Sequence, residues 1–597
     1  MLSFPVLKKE IFVNFYSDVP EWKWMFKNAI DWEKVIPLYY PTFPTPDGFE
    51  SKEEIIPFLE ELADQTGAWA GSEQAIADAR AMDEKGPGEV KDGLTIPNEY
   101  LSRIYKQATE LGIFGLSMPP EYGGMGVPAS LHMTVLGQGS RSSLGVSTQL
   151  AFFTSIADMI NRYCDQEDRE RLIPEIIAGN ISGSMCLTEP GCGSDLSMIK
   201  TTAMPQDNGT YLINGTKCFI SNGGGGIGLV LAKTPNAPEG LKGISMFLVE
   251  QKIPEKEGLN YYVSKNEEKM GLHASFTCEV VYENSVGKLI GEENEGFKMM
   301  LHLMNEARLA VGFQALGIIE ASLAYANDYA KQRVAFGSPI AELPLMKRNL
   351  DDYETEMNAI RALLMDTTSH FDIFTKLDLK KHHTNDLTEE EQEMFEEAGK
   401  WVRKRTPLVK YYSCEKATEL SQRAIQVLGG YGFMKEYPVE MFHRDSFAPL
   451  LYEGTSQIQA LMALKDLVKY AMKDPKTFFT NIMDKHPSTE IGGNEWTRNY
   501  KKAHYRFKKK MMGLLVKTLK PKNGKNIFNL KAWTELESIN KLMTHAETLC
   551  QALSYTETLR VLCDHANQDQ QRVKLFNDYY TLVYPRLEAI YADWSIR

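Results

Sequence analysis

The sequence has no Cys-x-x-Cys pair among its eight cysteines, Cys164, Cys186, Cys192, Cys218, Cys278, Cys414, Cys550 and Cys563. That scatter argues against a zinc site or a dense disulfide framework and fits reduced thiols in an intracellular protein. Positive charge is not in excess. The net charge of -13 argues against non-specific nucleic-acid binding. Met1 to Glu10 lack the ordered charged, apolar and small-residue regions of a secretory leader, and they are not Arg-rich and acid-poor like a transit sequence. No uninterrupted apolar run reaches the roughly 18–20 residues that span a bilayer. A cytoplasmic protein is the expectation.

What is present is size and changing periodicity. A chain of 597 residues exceeds one hydrophobic core and predicts about three or four domains. Residues 1–50 are aromatic-rich and end in Pro41, Pro44 and Pro46, whose spacing forbids a helix and predicts a linker or extended arm. Trp22, Trp24, Phe26 and Trp32 are expected to pack on the main body. Residues 51–180 carry apolar positions at three- and four-residue steps, as in Glu53 to Ala63 and Tyr100 to Leu111, and predict a helical domain.

Over 181–290 the period becomes strand-like, in Tyr211–Gly215, Leu229–Ala232, Ile244–Val249 and Cys278–Tyr282, and predicts a small antiparallel β-domain. Over 291–474 the helical period returns. Leu309, Phe313, Leu316, Ile319, Leu323, Ala326 and Ala330 form one stripe, as in a helical bundle. Ser369 to Glu391 is polar and reads as an exposed insertion between two helices. Residues 475–597 predict an appended helical domain, with Leu536, Ile539, Met543, Ala546, Cys550 and Leu553 at helical spacing. Its segment Tyr505 to Lys517 is basic and partly amphipathic. A peripheral membrane contact is conceivable for such a helix, but a solvated basic face with an inward apolar stripe is the favoured reading. The predicted class is α+β: helical, β, helical, plus a further helical domain.

Several strings carry chemistry. Leu451-Tyr452-Glu453-Gly454-Thr455-Ser456-Gln457 places one carboxylate between an aromatic ring and a glycine. Gln426-Val427-Leu428-Gly429-Gly430 ends a helix in glycines. Met185-Cys186-Leu187-Thr188-Glu189-Pro190-Gly191-Cys192-Gly193-Ser194-Asp195 is a glycine-rich turn offering backbone N–H groups to a phosphate or flavin. Lys217-Cys218-Phe219-Ile220-Ser221-Asn222-Gly223 joins an aromatic ring to a hydroxyl. Met304-Asn305-Glu306-Ala307-Arg308 and Gln332-Arg333-Val334-Ala335-Phe336-Gly337 follow. Each alone is an ordinary turn or helix end.

In this order, over roughly residues 50–470, the strings resemble the acyl-CoA dehydrogenase family. The long N-terminal arm and C-terminal extension are most similar to its larger bacterial members, such as the 3-methylmercaptopropionyl-CoA dehydrogenases. The resemblance implies FAD and an acyl-CoA substrate. It implies that Cys186, Leu187, Thr188, Gly193, Ser194, Phe219, Ile220, Ser221, Arg333, Phe336, Gln426, Gly429, Gly430, Thr455 and Gln457 contact FAD. Phe219 stands where many members have tryptophan and Ser221 where they have threonine, keeping an aromatic wall and a hydroxyl for flavin N5. Ser194, Asn305, Arg308 and Gly454 would meet the substrate. Glu453 would be the α-proton base, with hydride passing to flavin N5 and electrons to an electron-transfer flavoprotein. The product would be a trans-2-enoyl-CoA.

In some members an acid just before the arginine serves as base. Here Ala307 removes that rival, and Glu306, about 100° round the helix, reads as a surface or structural acid. Arg333 would pair with the pyrophosphate of FAD held mainly by a neighbouring subunit, which implies at least a homodimer. Leu343-Pro344 replaces a polar pair of the family, so contacts there are lost. An acyl-CoA oxidase and a catalytically silent flavin-binding scaffold are the alternative functions.

Overall fold

The computed structural model describes residues 13–46, 48–473, 493–519 and 536–596. The leader reading of residues 1–10 and the boundary at 475 lie outside the described residues.

The aromatic arm is not extended throughout. It forms α1 (Pro20–Asn28) and α2 (Trp32–Tyr39), with Pro20 at the first helical turn, where a missing N–H costs nothing. Trp22, Phe26 and Trp32 are buried as expected, and Trp22 stacks on Phe313 of the central bundle at 6.4 Å. Trp24 instead faces the C-terminal domain, donating from Nε1 to Asp569 at 2.7 Å under the Arg572 guanidinium.

The helical domain comprises α3 (Ile55–Ala70), α4 (Glu73–Lys85), α5 (Glu99–Glu110), α6 (Ala129–Ser142), α7 (Leu144–Tyr163) and α8 (Gln166–Ile177). Side-chain caps set several starts: Asn98 accepts from Leu101 N, Ser143 from Val146 N and Asp165 from Asp168 N. The Gly-Pro-Gly break after α4 opens into a hairpin of β1 (Gly88–Lys91) and β2 (Leu94–Pro97).

The β-domain contains β3 (Ser182–Cys186), β4 (Thr202–Pro205), β5 (Tyr211–Ser221), β6 (Gly226–Ala232), β7 (Ser245–Glu250), β8 (Tyr261–Asn266) and β9 (Thr277–Ile290). The order is β3-β6-β7-β9-β5-β4, with β8 also on β9. The expectation of a purely antiparallel sheet needs one correction. Edge strand β3 runs parallel to β6, and the chain between them crosses to the opposite edge of the sheet through β4 and β5. The 14-residue β9 pairs with β5 and β8 at its start and with β7 at its end, joining both halves.

The bundle is built on α9 (Gly296–Gln332), α10 (Pro344–Thr384) and α11 (Glu389–Leu428), with the short β10 (Val334–Ala335) and β11 (Ser338–Pro339) between the first two. Helix α9 does not bury a single stripe. Every residue from 311 to 323 is buried, since α6, α7, α10 and α11 surround it. It is long and apolar enough to cross a membrane, but that apolar span serves as the core of the bundle. Nor is Ser369–Glu391 an insertion. Helix α10 runs through it to Thr384, burying Phe371, Ile373 and Leu377, and only Asn385–Thr388 turn. Its Lys/His content lies largely on the outer face, and a few apolar residues turned inward suffice to dock it.

Three shorter helices close the bundle: α12 (Val439–Asp445), α13 (Ala448–Leu451) and α14 (Ser456–Lys473). The extension follows as α15 (Glu495–Leu519), α16 (Leu536–Met543), α17 (Ala546–Gln568) and α18 (Val573–Ile596). The helical spacing from Leu536 to Leu553 is interrupted at Thr544–His545. Helix α15 turns Phe507, Met511, Leu514 and Leu515 inward against α17 and α18, and Arg506 pairs with Glu588. The apolar face a membrane would need is thus already occupied.

Candidate active site

Glu453 lies between α13 and α14, on a turn that is itself unusual. Its φ is +57° and that of Gly454 +89°. A left-handed glutamate costs about 1–3 kcal/mol and persists only where its surroundings over-determine it. Here they do. The Glu453 carbonyl accepts from Arg308 Nε at 3.3 Å and Gln459 Nε2 at 2.9 Å. The Gly454 carbonyl accepts from Lys410 Nζ at 2.7 Å and Gln459 Nε2 at 3.1 Å. Thr455 caps α14, accepting from Ile458 N. Asn305 accepts from Arg308 at 2.9 Å, so two of the four residues expected at the substrate stand together beside the turn.

Among the described residues the Glu453 N–H has no acceptor. Burial pushes the Glu453 carboxyl above its usual range, opposed by the charges of Arg308 and Lys410. Glu306 is not a surface acid. Burial and neighbouring Asp158 push it up to about 8, against the pull of Arg162, in a structural cluster on the face toward α7 and α10.

A second group forms at the sheet. The Leu187 carbonyl accepts from Lys217 Nζ at 3.1 Å and the Thr188 carbonyl from Cys218 N at 3.0 Å. The two glycine- and aromatic-bearing strings are thereby knitted into one surface. Behind it lies a buried ion pair, Lys217 to Glu189 at 2.8 Å. A bulge in β5 between Lys217 and Ile220 turns Phe219 outward at φ +59°, leaving it 66% exposed. Ile220 is buried and Ser221 half-buried. Cys186 is fully buried, its sulfur within hydrogen-bond distance of Tyr282 Oη at 3.1 Å, so it can offer a ligand only backbone. Gly193 and Ser194 are exposed.

The two groups are connected. Tyr452 Oη donates to Gln314 at 2.9 Å, and Gln314 donates to Thr148 of α7 at 3.3 Å. The adjacent Gln149 accepts from Phe276 N at 3.1 Å and donates to Asn222, the residue after Ser221. Helix α7 therefore ties the carboxylate loop to the aromatic–hydroxyl loop. No motif identified Gln149, Gln314 or Lys410, and Lys217 stood in a quoted string without a role of its own. Their signal was present as polar residues inside otherwise apolar runs, such as Lys410 in Leu408-Val409-Lys410-Tyr411-Tyr412.

The third group stands apart. Arg333, Gly429 and Gly430 line a cavity of about 450 Å³ with Tyr329, Ile340, Tyr431 and Met434. Gln426 is exposed and accepts from Arg423. Phe336 is 95% exposed. A Cβ on Gly429 or Gly430 would meet nothing within 4 Å, so this cradle is open. Arg333 lies 25 residues beyond Arg308 along α9, roughly 38 Å at helical rise. Gln457, expected near the same cofactor as Thr455, is exposed and donates to Glu547 of the appended domain at 3.0 Å.

The arrangement suits a flavin and an activated acyl group. Thr188, Ser194 and Ser221 present hydroxyls for which no hydrogen bond is found among the described residues, beside the exposed ring of Phe219. The Arg333 guanidinium likewise has no acidic partner among them. This is the geometry of a flavin-dependent acyl-thioester oxidoreductase.

Comparison with known proteins agrees. Family models described as acyl-CoA dehydrogenase N-terminal, middle and C-terminal domains match residues 72–180, 184–285 and 294–468 in order. The chain is 34% identical to an acyl-CoA dehydrogenase of Bacillus subtilis, over 62% of this chain and 91% of that one. It is 34% identical to the 3-methylmercaptopropionyl-CoA dehydrogenase of Ruegeria pomeroyi, over 65% and 67% respectively. An acyl-CoA dehydrogenase from Bacillus anthracis, solved with FAD, shares the fold with a TM-score of 0.74 at 22% identity, covering 95% of this chain and 91% of its own. The chain belongs to the acyl-CoA dehydrogenase family. It is an FAD-dependent oxidoreductase acting on acyl-CoA.

Proposed function

We propose that the protein removes the α- and β-hydrogens of an acyl-CoA thioester to give the trans-2-enoyl-CoA, with Glu453 as the α-proton base. One observation carries this: a half-buried carboxylate on a strained turn, beside two cations and joined through α7 to the Phe219–Ser221 surface. Bound FAD would supply the acceptor for the β-hydrogen as hydride and pass electrons to an electron-transfer flavoprotein.

The chain's own residues supply the rest. Desolvation raises the proton affinity of Glu453, which makes it a stronger base toward a weakly acidic α-carbon. Its N–H, without an acceptor among the described residues, is available to the thioester oxygen as charge develops there. Gly454 leaves room for the thioester to approach. Phe219 and Ser221 would wall and hydrogen-bond the flavin, Thr188 and Ser194 would line it, and Asn305 and Arg308 would border the acyl channel.

The separation of Arg333 from Arg308, longer than an extended dinucleotide, supports a cofactor shared between two copies, with Arg333, Gln426, Gly429 and Gly430 serving the neighbour's FAD. The protein would then be at least a homodimer.

The test is anaerobic mixing of the FAD-loaded protein with a thioester panel from short to long acyl chains, 3-methylmercaptopropionyl-CoA included. Wild type should bleach with at least one member, and Glu453→Gln should keep FAD yet fail to bleach. Normal bleaching by that variant would overturn the base assignment. Hydrogen peroxide formed in air without another acceptor would replace the flavoprotein partner with oxygen.

A further inference from the structure

Lys410 lies in the middle of α11 and is completely buried. A buried ammonium is expensive, and a neutral donor could hold a carbonyl at lower cost. Among the described residues its hydrogen bond goes to the Gly454 carbonyl, at 2.7 Å. A trans peptide unit is planar, with its C=O and N–H pointing in opposite directions. Anchoring the Gly454 carbonyl therefore fixes the Thr455 N–H, just as Arg308 and Gln459, by holding the Glu453 carbonyl, fix the Gly454 N–H. Two consecutive carbonyls of the base loop are thus pinned by cations from two different helices, α9 and α11.

We infer that Lys410 is a positioning residue for the base. It locks the peptide plane between Gly454 and Thr455 and adds a positive charge to the surroundings of the Glu453 carboxylate.

The charged and titratable groups facing Lys410 are Cys414 and Glu415 on its own helix, Glu453 on the loop and Arg308 on α9. Among the described residues, those acting on Glu453 are Arg308 and Lys410, both opposing the effect of burial. Lys410 is thus one of two cations offsetting the desolvation of the base. Its charge, beyond its hydrogen bond, has a task that a neutral donor would not perform.

This inference rests on Glu453 being the base, and three variants separate its parts. Lys410→Met removes both bond and charge, Lys410→Gln keeps a donor without charge, and Lys410→Arg keeps the charge. The pH midpoint of anaerobic flavin reduction by the best thioester should rise by about one unit or more in the Met and Gln variants. It should stay near wild type in the Arg variant. The same shift should appear without turnover, in an infrared titration of the carboxyl band of FAD-loaded, substrate-free protein, taken as the difference from a Glu453→Gln background.

If the rate falls while both midpoints stay at the wild-type value, Lys410 is only a structural anchor and the inference is overturned. It is overturned equally if the Arg variant shifts as far as the Met variant. Should Lys410→Met not fold, the Gln and Arg pair decides. Failure of wild type to bleach with any thioester would overturn the functional reading instead.

Discussion

The ion pair behind the sheet surface offers the sharpest test of how the cofactor loops are held. Lys217 is wholly buried and its three protons meet three acceptors: the Leu187 carbonyl, Glu189 and the Leu231 carbonyl. Glu189 also accepts from Thr201 Oγ1 at 2.6 Å and from the Lys200 and Thr201 amides. At 2.8 Å and an effective dielectric near 20, the gross attraction is about 6 kcal/mol, much of it cancelled by desolvation of both charges. Removing one partner strands the other, so Lys217→Met or Glu189→Gln should each cost roughly 3–5 kcal/mol.

The double variant strands nothing. It should be more stable than the sum of the singles by up to about 3 kcal/mol. Native-state hydrogen exchange of β3 and β5 measures this locally, without assuming that the multidomain chain unfolds in one step. FAD retention should fall in the singles, because the Leu187 carbonyl loses its Lys217 anchor or that anchor loses its partner Glu189. Burial pushes the Glu189 carboxyl up, but Lys217 and the hydrogen bonds outweigh it and hold it below its usual range. Its contribution to stability is therefore present above the unfolded value, about pH 4.3, and lost as pH falls through the lower folded value. Strictly additive single and double variants would refute the coupling.

Arg333→Ala should leave the fold intact, since this arginine is exposed, but yield protein with a lower FAD-to-protein ratio after dialysis; an unchanged ratio would remove Arg333 from the cofactor site. Gly454→Ala puts a Cβ at φ +89°, 2.9 Å from Gln459 Nε2, and should destabilise the base loop by about 1–3 kcal/mol, with slower flavin reduction in stopped flow. Glu453 is raised by burial, so its proton-abstracting form appears only as pH rises through that raised value. The acid limb of the reduction rate should lie above the ordinary glutamate value of about 4.3. Ionising a carboxyl whose folded value is raised costs stability. Glu453→Gln should therefore melt higher than wild type at neutral pH, and that advantage should vanish below about pH 4.

The local chemistry of the site was legible because it depends on short strings. Tyr452-Glu453-Gly454-Thr455 announced a carboxylate on a tight turn, and Cys218-Phe219-Ile220-Ser221 an aromatic ring beside a hydroxyl. Ser369–Glu391 looked like an insertion because composition counts all side chains, whereas a helix needs only one apolar stripe to dock. The parallel pairing of β3 could not be read, because a strand's two-residue period is the same in either direction. Lys410 gave no signal of its role because nothing adjacent in the chain explains a buried ammonium. Its partner, Gly454, lies 44 residues away.

The order of helical, β and helical segments, the family, and the candidate base all follow from the amino-acid order, since periodicity and motif strings are properties of neighbours along the chain. The folded arrangement was needed to show which charges surround that base and how α7 joins it to the Phe219–Ser221 loop. It was needed, too, to set Arg333 roughly 38 Å along α9 from Arg308, at the far end of the bundle. Those facts depend on distances between segments remote in sequence, and burial multiplies the energetic weight of each charge brought together there.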